Sequence, residues 1–490
     1  MLHYLLNLFN PFGKTLPKQP GQVPEPMVMI NDHDGITEHQ LMEGVFVGGG
    51  IGSGKTSSAG TYIPLFMLER GYGILWMCAK HDEAVRAVDL CQRAGRSYKL
   101  FSPSGPWRFN FLDFEIKSPG GIQSAQQLLS DLVEYSTRSD PSKASDTFWP
   151  LSISRMLRML MNIVYLAQGT CYIDDLYKMM QSLPAKDAKG ESDVDKPSWQ
   201  AGFCANAITQ AVINHGKAKC SLFVEYVMEE LVDMDWRTKG GIIAGANNIL
   251  ESFMTGGLCH LITEETNISP EALLNEEVLI LDCSTIDYRE AAKLIQTAWK
   301  LSTQRLALRR DVNKHPRPIA IICDEAQEFV LPRADSATQA VGRSARLITL
   351  ALTQNIPLII ASLGNQEQES YAWLANFSTK IFCSNHEPKT NEYASELCGH
   401  SKHLFMSGSP GGAMHNYDLV DDFCAQDKGG SISFNEQWHP DIPPEVFAAG
   451  VLKKGGPQFD FVVTGIVVQS GRLWSNGKRW TVGEWRQLKN

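Results

Sequence analysis

Short, uniformly apolar runs alternate along this chain with longer segments in which apolar residues recur every three or four positions. The runs are Gly44–Gly48 (GVFVG), Gly73–Met77 (GILWM), Val278–Cys283 (VLILDC), Ile319–Cys323 (IAIIC), Leu347–Thr353 (LITLALT) and Thr379–Cys383 (TKIFC). A strand buried on both faces has no polar side to alternate with, so such runs predict strands of a parallel sheet. Helical spacing lies between several of them, as in Arg289–Leu308. Alternating strands and helices predict an α/β fold with a doubly wound, mostly parallel sheet, whose ligands bind at the carboxyl ends of the strands.

The stretch 123–263 carries little strand signal, while Gln126–Tyr135, Ile153–Leu166 and Leu222–Val232 show helical spacing, so an all-α domain is expected as an insertion. Pro184–Pro197 (PAKDAKGESDVDKP) reads as a charged loop within it. Alternation with S-G and N-G pairs across Val462–Trp485 predicts a terminal β hairpin. The expected division is an N-terminal segment and linker (1–35, Pro-rich over 13–30), the α/β domain in two pieces (36–122 and 264–490), and the insertion 123–263. A length of 490 residues, too long for one compact core, agrees with that division.

Composition is that of a soluble globular protein, 43% hydrophobic and 20% charged. The net charge of −9 argues against a surface that coats nucleic acid, though not against a basic pore inside an acidic assembly. Eleven cysteines occur singly with no C-x-x-C pair, as buried or free thiols in a reducing compartment would. Met159–Ile173 is too short to span a membrane, and Leu347–Gln366 is broken by Gln354-Asn355 and Pro357 into a strand, a turn and a second element, so no transmembrane helix is expected. Residues 1–11 read as a packed or disordered terminus, with a membrane-surface segment as the alternative.

The most specific chemistry is Gly49-Gly50-Ile51-Gly52-Ser53-Gly54-Lys55-Thr56, a full G-x-x-x-x-G-K-T between an apolar strand and the helical segment Ser57–Leu68. Glycines let backbone N–H groups turn toward phosphates, and the helix N-terminus adds a favourable dipole. Lys55 then faces the β- and γ-phosphates of ATP, and the Thr56 hydroxyl is a ligand for Mg²⁺. The strand IAIIC ends in Asp324-Glu325, where Asp324 fits the Mg²⁺ shell and Glu325 the general base that polarises water.

Gln354, at the end of LITLALT, fits a γ-phosphate sensor or an ordinary loop glutamine. Arg343 and Arg346 fit either a cationic finger for a neighbouring subunit or a solvated helix end. The basic groups Arg305–Arg310 and Lys453-Lys454 are phosphate contacts or solvated faces. His386, His400 and His403, near Cys383 and Cys398, fit no zinc pattern.

Taken together, these segments resemble the VirD4/TraG-type coupling ATPases of type IV secretion and conjugation, within the FtsK/HerA group of RecA-like ring translocases. Phe109-Asn110-Phe111-Leu112-Asp113 is similar to the family's F-N-P-L-D segment, with Phe111 in place of proline. Ile321–Ala326 is similar to its Walker B strand. Gly342-Arg343, followed eleven positions later by Gln354, is similar to the spacing of its arginine finger and sensor glutamine. Asn376–Phe382 and Asn391-Glu392-Tyr393 are similar to the stretch that follows. The resemblance runs from about Gly44 to the C-terminus and favours Arg343 and Gln354 as site residues, with Arg346 second.

It implies a homo-hexamer with ATP and Mg²⁺ between subunits, acting on DNA or nucleoprotein, with secretion-channel or effector proteins as further partners. The implied location is cytoplasmic, peripheral at the inner membrane. The family's N-terminal membrane helices are not expected here, which leaves recruitment by a membrane partner, contact with the membrane through residues 1–11, or no channel at all. The alternative functions are a soluble HerA-like ATPase of DNA processing or phage defence, and a nucleotide-switched recruitment protein.

Overall fold

The computed structural model describes residues 27–138, 147–186, 192–409 and 431–488; the membrane-surface alternative for residues 1–11 lies outside them, as does part of the 184–197 loop. Thirteen strands are described: β1 (Met27–Met29), β2 (Gly35–Thr37), β3 (Val45–Gly48), β4 (Gly73–Cys78), β5 (Lys99–Phe101), β6 (Val278–Asp282), β7 (Ile319–Cys323), β8 (Leu347–Thr353), β9 (Thr379–Phe382), β10 (His400–Ser409), β11 (Ser431–Pro440), β12 (Val462–Gln469) and β13 (Trp480–Arg486).

Nine of them form one sheet in the order β13-β12-β9-β3-β8-β7-β4-β6-β5. From β9 to β5 every pairing is parallel, and β12 and β13 add an antiparallel hairpin at one edge. The six apolar runs are the inner strands, and β4 and β7 are buried at every position. At the edge, β13 buries Thr481, Gly483 and Trp485 and exposes the residues between them, as a strand covered on one face should. β5 carried no sequence signal: three residues at the opposite edge, only Phe101 of them buried, leave no periodicity to read.

Two apolar layers flank the sheet because neighbouring residues of a strand point to opposite faces. Ile74, Trp76, Ile280, Ala320, Ile322 and Leu350 meet the helices Ala59–Glu69 and His81–Arg93 on one side. Leu75, Met77, Leu279, Ile321 and Ala351 meet the long helix Thr285–Arg309 on the other. On that helix Trp299 is fully buried, its ring 4.0 Å from Phe109 and 5.3 Å from Phe101. Gln296 is buried one turn earlier and ties two strand ends together, its amide donating to Cys78 O and Cys283 O at 2.8 Å. The sheet is thus doubly wound, as expected.

Among the described residues, the stretch between Phe111 and Thr263 is mostly helical, the longest helices being Phe148–Gln168 and Trp236–Met254. Their apolar residues are continuous with the layer under the sheet, as where Phe111 meets Phe253 at 5.5 Å. Asn110 caps the first short helix by accepting from Asp113 N at 3.2 Å, and Phe111 fills core space where the related segment has proline. Residues 27–35, grouped by sequence with the lead-in segment, lie against the sheet edge: Ile30 is fully buried and Asp34 accepts from Ser475 and Thr481.

Leu347–Gln366 is a strand, a turn and the short helix Ile356–Ser362, and among the described residues no helix is long and apolar enough to cross a membrane. Ten described cysteines are free, and all but Cys259 are buried.

Candidate nucleotide site

Four strand tips build the site. β3, β8, β7 and β4 lie side by side in that order and run parallel, so their carboxyl ends share one edge. Sequence order hides this arrangement, since β4 precedes β7 by more than two hundred residues.

After β3 the chain forms the loop Gly49–Thr56. Gly49 N–H donates to Thr353 O at 3.2 Å, Gly50 N–H to Ser384 O at 3.0 Å and Ser53 N–H to Gly50 O at 3.1 Å. Gly52 and Gly54 have φ of 68° and 84°, where a side chain is strained. Space is closed as well. A Cβ on Gly49 would lie 2.6 Å from Ser53 Oγ, and one on Gly54 would lie 2.6 Å from Val463 and 3.0 Å from Lys454 O. Ser53 Oγ is buried without a hydrogen-bond partner.

An unpaired buried hydroxyl in a loop that has no room for a side chain at Gly49 or Gly54 suits a ligand rich in acceptor oxygens. The loop residues Gly49, Gly50, Gly52, Ser53, Gly54, Lys55 and Thr56 therefore fit a polyphosphate, and Thr56 with Asp324 supplies oxygen donors of the kind Mg²⁺ takes. The following helix begins at Ala59, two residues later than its sequence pattern suggests. Residues 55–58 turn instead, held by Ser57 and Ser58 hydroxyls donating to Gly54 O and Lys55 O at 3.2 Å.

At the tip of β7, Asp324 is buried, with Arg86 Nη1 3.5 Å away. Burial pushes its pKa up, against the opposing charges of Lys55 and Arg86. Glu325 follows in the left-handed region at φ 57°, a strained position for a non-glycine residue. Three donors fix its carboxylate. Lys80 Nζ at 3.0 Å and Gln354 Nε2 at 3.1 Å both donate to Oε1, and Gln327 Nε2 donates to Oε2 at 2.9 Å. Gln327 in turn accepts from Thr353 Oγ1 at 2.8 Å, which links the tips of β7 and β8. Burial alone raises the Glu325 pKa, but the bond from Gln327, the charge of Lys55 and the bonds from Lys80 and Gln354 outweigh it and hold the group below its ordinary value.

Lys80, Arg86 and Gln327 were not singled out in the sequence. Lys80 stands two residues past β4, and only the adjacency of β4 and β7 gives it meaning. Beside it, Glu83 accepts from Ala79 N at 2.7 Å and Lys80 N at 3.2 Å. Burial, then the charge of Asp324, pushes the Glu83 pKa up to about 8.

Arg343 lies elsewhere. It ends the helix Pro332–Gly342 and precedes β8, whereas Gln354 follows β8. Seven strand residues separate the two by roughly 20 Å. Arg343 is 60% exposed and pairs with Glu43 at 3.2 Å, and Arg346 donates to Pro316 O, also at the amino edge. Neither reaches the Glu325 of its own chain.

The arginines of the basic segment Arg305–Arg310 are tied into the fold, although Leu308 and Arg309 are exposed. Arg305 pairs with Asp131 at 2.8 Å, Arg309 with the buried Glu115 at 3.3 Å, and Arg310 donates to Arg317 O and Ala345 O. Lys454 lines the phosphate loop through its carbonyl, with its ammonium 3.4 Å from His386 Nε2.

Residues 318–420, which include β7 to β10, match the family described as the TraM recognition site of TraD and TraG. Solved structures with this fold include the bacterial conjugative coupling protein TrwBdeltaN70 in an unbound form, at 14% identity and a TM-score of 0.61 over 96% of this chain and 90% of that one. The plasmid coupling protein TrwB with a non-hydrolysable GTP analogue matches at 15% identity and 0.62, over 96% and 91%. TrwB with ADP and Mg²⁺ matches at 14% and 0.61, over 96% and 90%. No curated protein matches the chain. The chain is a P-loop protein with the RecA-like fold of the conjugative coupling proteins, and its residues 318–420 match the TraM-recognition-site family of TraD and TraG.

Proposed function

We propose that this protein is an ATP-hydrolysing, ring-forming coupling ATPase of conjugation or type IV secretion that acts on DNA or nucleoprotein. The observation that carries the reading is the site itself: a phosphate loop on β3 and, two strands away on the same sheet edge, an acidic pair whose Glu325 is held by Gln354. The coupling protein TrwB, similar in fold, is known in complexes with ADP and Mg²⁺ and with nucleotide analogues, which supports ATP with Mg²⁺ as the ligand here.

In this reading Lys55 and the loop amides bind the phosphates, and Thr56 and Asp324 hold the metal. When bound, Mg²⁺ offsets the phosphate charge. Glu325 accepts the proton of the attacking water, and Gln354 fixes the Glu325 carboxylate. Arg343, exposed on the far edge, serves a neighbouring subunit, which makes a closed ring of identical chains, a homo-hexamer, the working form. The two-part domain 36–122 and 264–490 drives motion, and the helical insertion 123–263 moves with it through their shared apolar layer. The segment 318–420 is the place for a protein partner, and the working location is the cytoplasm, peripheral at the inner membrane.

ATP turnover by the purified protein, with and without single-stranded DNA at low salt, tests this. Turnover that rises with DNA and vanishes in Lys55→Ala supports it. No turnover, or turnover indifferent to DNA in a protein that also binds none, removes the motor or its substrate.

A further inference from the structure

Glu325 is over-supplied with donors for a residue that must take a proton. A carboxylate has about four lone-pair sites, two on each oxygen. Lys80 and Gln354 fill both on Oε1, and Gln327 takes one on Oε2. A single lone pair is left for water.

The three donors are not equivalent. Gln327 is anchored by Thr353, and Gln354 leaves the tip of β8, so both amides are fixed by the sheet. Lys80 has a flexible side chain, 40% exposed, and a second acceptor in reach: Glu83 Oε1 lies 3.9 Å from its Nζ. Glu83 is itself held by two backbone N–H groups, and its oxygen accepts whether or not the group is protonated. A short swing thus carries the ammonium from Glu325 to Glu83 without unpairing it. Lys55 and Arg86 complete the cationic surroundings, but Arg86 bonds to Asp324.

We infer that Lys80 is a positioning residue that parks Glu325, occupying one of its oxygens until the ammonium moves to Glu83 and frees a lone pair for water. The inference rests on the function proposed above. It names the means by which basal hydrolysis is held down: the base is present but both sites on Oε1 are filled, which leaves water only one site, on Oε2.

Steady-state ATP turnover of the full chain tests it, with wild type beside Lys80→Met, Lys80→Arg, Glu325→Gln and the double variant Lys80→Met/Glu325→Gln. Lys80→Met should raise basal kcat several-fold and leave KM for ATP unchanged, because it frees the base without touching nucleotide. Lys80→Arg, which still donates, should stay parked, and the double variant should be as inactive as Glu325→Gln.

A fall in kcat for Lys80→Met overturns the inference, and so does a rise in KM, which would make Lys80 a nucleotide ligand. Thermal melting checks each variant's fold. If Lys80→Met does not fold, Lys80→Leu, which also has no donor, replaces it and must also exceed wild type in kcat. Inactive wild type overturns the proposed function and this inference with it; active wild type with a Lys80 series that departs from expectation overturns this inference alone.

Discussion

Gln354 Nε2 donates to Glu325 Oε1 across 3.1 Å, joining the tips of two neighbouring strands, β8 and β7. Glu325→Gln keeps the size of the side chain but loses the acceptor charge. ATP binding should persist while turnover falls at least about a hundredfold, the scale of general-base catalysis. Gln354→Ala should lower kcat with little change in KM, since the phosphate loop is untouched. Equal turnover in either variant would remove that residue from the reaction; nucleotide binding and single-turnover hydrolysis are the measurements.

Lys55→Ala should abolish the stabilisation that nucleotide confers. A ligand at a hundred times its Kd adds about 2.7 kcal/mol to folding stability, which a melting curve detects. Wild type with ATP and Mg²⁺ should melt higher than without, and Lys55→Ala should not. An undiminished shift in the variant would place the nucleotide elsewhere.

Arg343→Ala should leave the fold stable, because an exposed pair with Glu43 contributes about 0–1 kcal/mol. Turnover should nevertheless be lost. Mixing this variant with Lys55→Ala should restore part of it, since one chain then offers an intact phosphate loop and its neighbour an intact arginine. Lack of rescue, with mixed oligomers shown to form, would point to Arg346 or to no finger at all.

Glu115 is fully buried and accepts from Ser124 Oγ at 2.5 Å beside Arg309 and Arg305. Glu115→Ala removes the carboxylate partner of Arg309, while Arg305 keeps Asp131, and should cost about 1–3 kcal/mol in urea unfolding. Adding Arg309→Met should recover part of that loss. A change near zero for Glu115→Ala would show that water reaches the pair.

His81 Nδ1 lies 2.8 Å from Asp282 Oδ2, and that bond, then the charge of Asp282, raises the His81 pKa above its ordinary value. A raised histidine pKa stabilises the fold below the unfolded value of about 6.5, and the gain disappears as pH rises through the folded value. His81→Ala should therefore lower the urea midpoint near pH 6 and match wild type near pH 9. An equal deficit at both would show a contact independent of charge.

The inner strands were legible because burial on two faces writes an unbroken apolar run, so β7 and β8 match their sequence spans residue for residue. The loop Gly49–Thr56 was legible because G-x-x-x-x-G-K-T is written in consecutive residues. β5, too short to show a period, was not. Nor was the structural role of Arg305, Arg309 and Arg310, because a charge run looks the same whether water or a buried Glu115 faces it.

What the sequence determined by itself is whatever depends on neighbours along the chain: the loop Gly49–Thr56, the pair Asp324-Glu325, the helical stretch between β5 and β6. Strand order was left to the tertiary structure, because parallel pairing joins segments far apart in the chain through backbone hydrogen bonds that carry no residue identity. That order set β8 between β3 and β7 and β4 beyond β7, so it alone brought Lys80 and Gln354 onto one carboxylate and sent Arg343 to the opposite edge.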